Sequence, residues 1–101
     1  MIGIIDYGLG NIHAINHIYN QLNIESVFIS KPDQLTNVEK IILPGVGSFD
    51  RAMECLHAIS LIDTLNELVL NKKIPILGIC VGMQIMFEGS DEGLSNGLGW
   101  I

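Results

Sequence analysis

The chain has 101 residues, 49% of them apolar and only 16% charged, which fits one small globular domain and excludes a chain held open by its own charge. Five Lys and Arg against eleven Asp and Glu give a formal net charge of -6, so the clustered cations that neutralise phosphates are missing and nucleic acid is not an expected partner. No apolar run approaches the roughly 20 residues of a membrane span, so no membrane partner is expected either.

In chain order, Ile2 to Asp6 is a compact apolar run ending at Gly8 and Gly10, the pattern of a buried parallel strand and its turn. It has neither a basic n-region nor a cleavage site, so it is no signal peptide. From Asn11, a plausible N-cap, apolar residues at Ile12, Ile15, Ile18, Tyr19 and Leu22 predict a helix. Ser26 to Ile29 is a short β-branched and aromatic strand, and Lys40 to Leu43 is another, running into the tight turn Pro44-Gly45. Between Phe49 and Asn71 the helical period returns, with Met53, Leu56, Ile59, Ile62, Leu65, Leu68 and Val69 facing inward and a break at Ser60. Ile74 to Ile79 reads as a strand with its proline near the start, and Cys80 to Phe87 as a helix. A glycine-punctuated loop from Glu88 closes on Leu98-Gly99-Trp100-Ile101.

This β-α-β, β-α-β-α order predicts an α/β fold, a parallel doubly wound sheet whose crossover helices cover both faces. Functional groups gather at the carboxyl ends of the strands in such sheets. Three segments fall there: Gly8-Leu9-Gly10-Asn11, Pro44-Gly45-Val46-Gly47-Ser48, and Cys80.

Gly78-Ile79-Cys80-Val81-Gly82 fits G-x-C-x-G, the thiol form of a strand-to-helix nucleophile elbow. The glycines give the strained turn room, and the helix start favours a thiolate at Cys80. Read more plainly, it is a buried cysteine in a tight turn. Gly45 and Gly47 would let backbone N–H groups point into a cleft and stabilise an oxyanion, although alone the segment reads as an ordinary loop. A dinucleotide is excluded, because the third glycine of G-x-G-x-x-G falls on His13, and no cofactor is expected. His13 and His17 share a helix face but lack a third ligand, and Cys55 and Cys80 lie far apart with no CxxC, so no metal site is expected. Both cysteines read as thiols in a reducing cytoplasm. His57 is expected to be a partly buried structural histidine, Met83 and Met86 gap fillers, Cys55 a small core residue and Trp100 a packing anchor.

Taken together, Ile4 to Asn11, Ile42 to Phe49, Gly78 to Gln84 and Gly97 to Ile101 resemble, in order and spacing, the class I glutamine amidotransferases, and within them the glutaminase subunits of imidazole glycerol phosphate synthases. The resemblance runs from end to end and implies a flavodoxin-like sheet, with residues 1–101 forming the N-terminal half of the family's domain. It implies that Cys80 attacks the carboxamide of glutamine, that the N–H groups of Val81 and, after a peptide flip, Val46 form the oxyanion hole, and that Gln84 and Glu92 contact the substrate. It also implies a (β/α)8-barrel cyclase or synthase partner that takes the ammonia for histidine biosynthesis, with Asn11 near that interface.

The family's activating His and Glu lie well beyond the elbow, and none of His13, His17 and His57 matches them. The expectation is therefore a chain inactive alone, an N-terminal half produced by truncation, a broken reading frame or a split subunit. Its exposed sheet edge would offer a homo-oligomer contact. Two other readings remain: ammonia supply for sugar amidation in surface polysaccharide, and a non-catalytic docking module or remnant.

Overall fold

In the computed structural model, which describes residues 1–91 and 93–101, the apolar runs become four short parallel strands: β1 (Ile2–Ile5), β2 (Ser26–Ile29), β3 (Lys40–Leu43) and β4 (Ile76–Gly78). Their order is β2-β1-β3-β4. Ile4 pairs with Phe28 on one side and Ile42 on the other, and Leu43 pairs with Gly78. Strands buried on both faces need unbroken aliphatic runs; Ile4, Ile5, Ile41, Ile42 and Leu43 are accordingly all buried.

Helix α1 (Ile12–Gln21) starts at Asn11, whose side chain accepts the Ala14 N–H at 3.2 Å. It packs on the edge strand β2, and none of its residues is fully buried. Helix α2 (Phe49–Ala58) starts at Ser48, whose hydroxyl accepts the Arg51 N–H at 3.1 Å. The break expected at Ser60 is present: Ser60 takes a φ of +57°, and α3 (Ile62–Asn66) continues into a π-turn, Glu67–Asn71. Leu56, Leu61 and Leu65 from these helices are fully buried. Ile59 and Ile62 are half-buried and pack against the core, Val69 is half-buried, and the inward face also includes Leu61.

Two elements are shorter than the periodicity predicts. β4 spans three residues because Pro75 has no N–H to donate, although the ladder reaches further through Ile41 N–H to Pro75 O (2.9 Å) and Ile79 N–H to Leu43 O (3.0 Å). Helix α4 (Val81–Gln84) ends four residues on because the last segment captures the carbonyls that follow. Leu98 N–H donates to Ile85 O at 2.7 Å, Trp100 N–H to Met86 O at 2.8 Å and Gly97 N–H to Glu88 O at 2.7 Å. The Trp100 indole donates to Asn66 Oδ1 at 2.7 Å and anchors this segment on α3. His57 is exposed rather than partly buried, since it follows Leu56 on the outer side of α2, and Met83 is exposed where Met86 is buried. Among the described residues, no helix is long and apolar enough to cross a membrane. β2 and β4 are the sheet edges, and Leu77 on β4 is 57% exposed.

Candidate active site

At the carboxyl end of β4 the chain turns into α4 through Cys80, which takes φ +55° and ψ -123°. A non-glycine residue at positive φ outside the small left-handed helical region is costly, by about 1–3 kcal/mol, and persists only where its surroundings impose it. Both flanking glycines supply that constraint. A Cβ at Gly78 would lie 2.5 Å from Met83 Cα, and a Cβ at Gly82 would overlap the Leu43 carbonyl oxygen. α4 is therefore pressed against the end of β3, the only course left to the chain is the strained turn, and the thiol of Cys80 is exposed at its apex.

The end of β3 forms the other half of the site. Pro44 and Gly45 are buried, then Val46 and Gly47 rise into solvent, with Val46 53% exposed and Gly47 at φ +91°. The Gly45 carbonyl accepts the Val81 N–H at 3.3 Å, so two of the four residues expected to line an oxyanion hole sit across one hydrogen bond from each other. In this arrangement the N–H of Val81 is directed at Gly45 and is not free. Gly45 itself has no room for a side chain: a Cβ there would lie 2.7 Å from the Tyr7 hydroxyl and 2.8 Å from the Gly82 nitrogen. The turn after β1 closes the floor, since a Cβ at Gly10 would come within 3.0 Å of Pro44 Cβ. The structure thus brings Cys80, Val81, Gly45, Val46 and Gly47 together.

Gln84 is exposed at the end of α4, one turn from Cys80, with its N–H donating to Cys80 O at 3.2 Å. Asn11 is exposed at the start of α1, beside the Gly10 turn. Glu92 lies outside the described residues. The three histidines lie on α1 and α2: His13 sets its ring edge-on to Phe28 of β2, 5.2 Å between centroids, three strand spacings (about 14 Å) from β4, and His17 and His57 are exposed.

Two side chains at the site escape sequence reasoning. Tyr7, only 5% exposed, donates its hydroxyl to Pro44 O, and burial, with the nearby Cys55 adding to it, pushes its phenol up to about 12. Asp50, on the first turn of α2, accepts the backbone N–H groups of Leu94 (2.9 Å) and Ser95 (2.9 Å), which hold its carboxyl below the ordinary value. Their only sequence signal is position, at the ends of β1 and of the Gly45 loop.

A parallel sheet that carries a cysteine elbow beside a glycine-rich backbone loop sets an exposed thiol next to backbone N–H and C=O groups at the carboxyl ends of its strands. Residues 3–93 match the family model described as glutamine amidotransferase class-I, and the chain belongs to that family. It is 50% identical over 101 residues to a protein from Leptospira borgpetersenii and 53% identical over 98 residues to one from Prochlorococcus marinus, each named imidazole glycerol phosphate synthase subunit HisH. These alignments cover 100% and 97% of this chain but 50% and 46% of those proteins, so the chain spans about half the length of the curated relatives it matches. A crystal structure of a glutamine amidotransferase superposes on 97% of the chain and 51% of its own with a TM-score of 0.77 at 18% identity, a likeness of fold.

Proposed function

We propose that these residues form the nucleophile and oxyanion half of a glutaminase that supplies ammonia to an imidazole glycerol phosphate synthase. The observation that carries the reading is the conformation of Cys80, a strained, exposed thiol at a helix start whose two flanking glycines admit no side chain. In this reading the Cys80 sulfur attacks the carboxamide carbon of glutamine, and the carbonyl oxygen gathers the negative charge. Rotation of the Gly45–Val46 peptide breaks the Val81–Gly45 hydrogen bond, which frees the Val81 N–H and turns the Val46 N–H toward that oxygen. Collapse of the intermediate breaks the C–N bond, the nitrogen leaves as ammonia after taking a proton, and water then cleaves the glutamyl thioester to glutamate and the free thiol.

The proton donor and base come from polypeptide outside these residues, because His13, His17 and His57 all belong to helix surfaces away from the elbow. Gln84 and Glu92 would hold the substrate's amino-acid end, and the Asn11 turn would face a (β/α)8-barrel cyclase, in a cytoplasmic complex. The names of the relatives favour the imidazole-forming pathway over sugar amidation. The exposed β4 edge would be covered by further chain or by a second copy.

Intact mass after treatment with a diazo-ketone analogue of glutamine tests this. The expected result is one adduct that excess glutamine blocks and that Cys80→Ser abolishes. No adduct, or equal labelling of Cys55, overturns the reading and leaves a docking module.

A further inference from the structure

We infer that Tyr7 is a positioning residue for the oxyanion loop: its buried hydroxyl pins the Pro44–Gly45 peptide, so that rotation is confined to the Gly45–Val46 peptide beyond it. The inference rests on the glutaminase reading for its purpose, but its geometry stands apart from that reading.

Consecutive carbonyls at the end of β3 are held very differently. Leu43 O accepts the Ile79 N–H at 3.0 Å, which ties β3 to β4. Pro44 O accepts a short hydrogen bond from Tyr7, a side chain 5% exposed at the end of β1. Among the described residues, Gly45 O accepts only the 3.3 Å bond from Val81 N–H given above, near the weak end of the range. The pyrrolidine ring of Pro44 also lies beside the Gly10 turn, where a Cβ would come within 3.0 Å of Pro44 Cβ. Between Gly45 and the Ser48 cap the chain is loosely packed: Val46 is 53% exposed, and a Cβ at Gly47 would meet no atom within 4 Å. Rotation of the Gly45–Val46 peptide therefore breaks one long hydrogen bond and moves a side chain already in water.

Removing the Tyr7 hydroxyl changes where the chain gives way. Pro44 O would be left buried without its donor, a state that proteins avoid by moving. The Pro44–Gly45 peptide would then join the motion, and the Val46 N–H would no longer swing about a fixed point. Precision matters here because oxyanion donors work only within a few tenths of an ångström of the developing charge. Burial keeps the phenol protonated throughout the neutral range, so the donor is constant.

The test compares wild type with Tyr7→Phe and with 4-aminophenylalanine at position 7, which restores a donor on the same ring. Amide hydrogen exchange is followed at Val81, with Ile4 and Ile42 as references, and Cys80 alkylation is timed with the diazo-ketone analogue and with iodoacetamide. In Tyr7→Phe, Val81 exchange is expected to accelerate about tenfold while Ile4 and Ile42 stay unchanged, and the aminophenylalanine chain returns to within about twofold of wild type. The diazo-ketone reaction should slow about tenfold and the iodoacetamide reaction, which needs no oxyanion contact, should not change. Unchanged Val81 exchange, or a uniform acceleration of all three amides that the amino variant fails to reverse, overturns the inference. Because exchange needs no glutamine chemistry, failure of the glutaminase reading would leave the Val81 result standing, and the two failures can be told apart.

Discussion

The carboxylate of Asp50 accepts the backbone N–H of Ser95, 45 residues further along the chain, at 2.9 Å. With the Leu94 N–H on the same carboxylate, and no room for a side chain at Gly93 against it, α2 holds the loop that follows α4 in place.

The anchor depends on charge. Hydrogen bonds from Leu94 and then Ser95 lower the Asp50 pKa from its ordinary value of 3.8. A depressed carboxyl adds stability above the unfolded value and loses it as pH falls through the folded one. Amide exchange at Leu94 and Ser95 should therefore be slow at neutral pH and speed up, beyond the intrinsic pH effect, below 3.8. Asp50→Asn should show the faster exchange at every pH, with α2 unaffected.

Gly82 and Gly89 make a matched pair. Alanine at 82 must displace the Leu43 carbonyl, whereas a Cβ at 89 meets nothing within 4 Å. Thermal unfolding should show Gly82→Ala destabilised by on the order of 3 kcal/mol, a fall in Tm of more than about 10 °C. Gly89→Ala should stay within about 0.5 kcal/mol of wild type.

Strain at Cys80 makes the opposite prediction for its own replacement. Glycine accepts φ +55° freely, so Cys80→Gly should be more stable than Cys80→Ala by about 1 kcal/mol, while neither carries a thiol to label. Denaturant midpoints of the two variants check this. Equal stability would mean that the turn relaxes when its cysteine is removed.

Tyr7 links stability to alkaline pH. Burial, with Cys55 nearby, raises its phenol from 10.0 to about 12, so the neutral form belongs to the folded state. Its contribution is complete below 10 and is lost as pH rises toward 12. A denaturation series across that window should show the fall in wild type and a shallower one in Tyr7→Phe.

The sheet was readable in the sequence because each strand is an aliphatic run short enough to be stopped by its own turn residues, as Ser26–Ile29 and Lys40–Leu43 are to the residue. Asn11 and Ser60 mark helix ends through local chemistry, a cap and a left-handed residue. The Cys80 elbow was legible for the same reason, since both of its glycines answer to a clash with a neighbouring element. What was not legible depends on partners far along the chain. Helix α4 goes no further because Leu98 and Trp100 take the carbonyls of Ile85 and Met86 just beyond it, a competition that no local propensity encodes. Tyr7 finds its acceptor 37 residues away and Asp50 its first donor 44 away, so neither stood out beside the motifs. His57, placed inward by its apolar neighbours, faces solvent because one helical step of 100° separates it from Leu56.

The junction of β3 and β4 has a consequence for synthesis. Chains leave the ribosome N-terminus first, so β1, β2 and β3 exist before β4 is made. Until β4 docks, Leu43 O and Gly45 O have no partners in the elbow, and nothing forces Cys80 out of an ordinary backbone conformation. The nascent chain therefore carries a relaxed, unremarkable thiol, and the poised one arrives only with the last of the three strand pairings, after the floor that receives it has been laid.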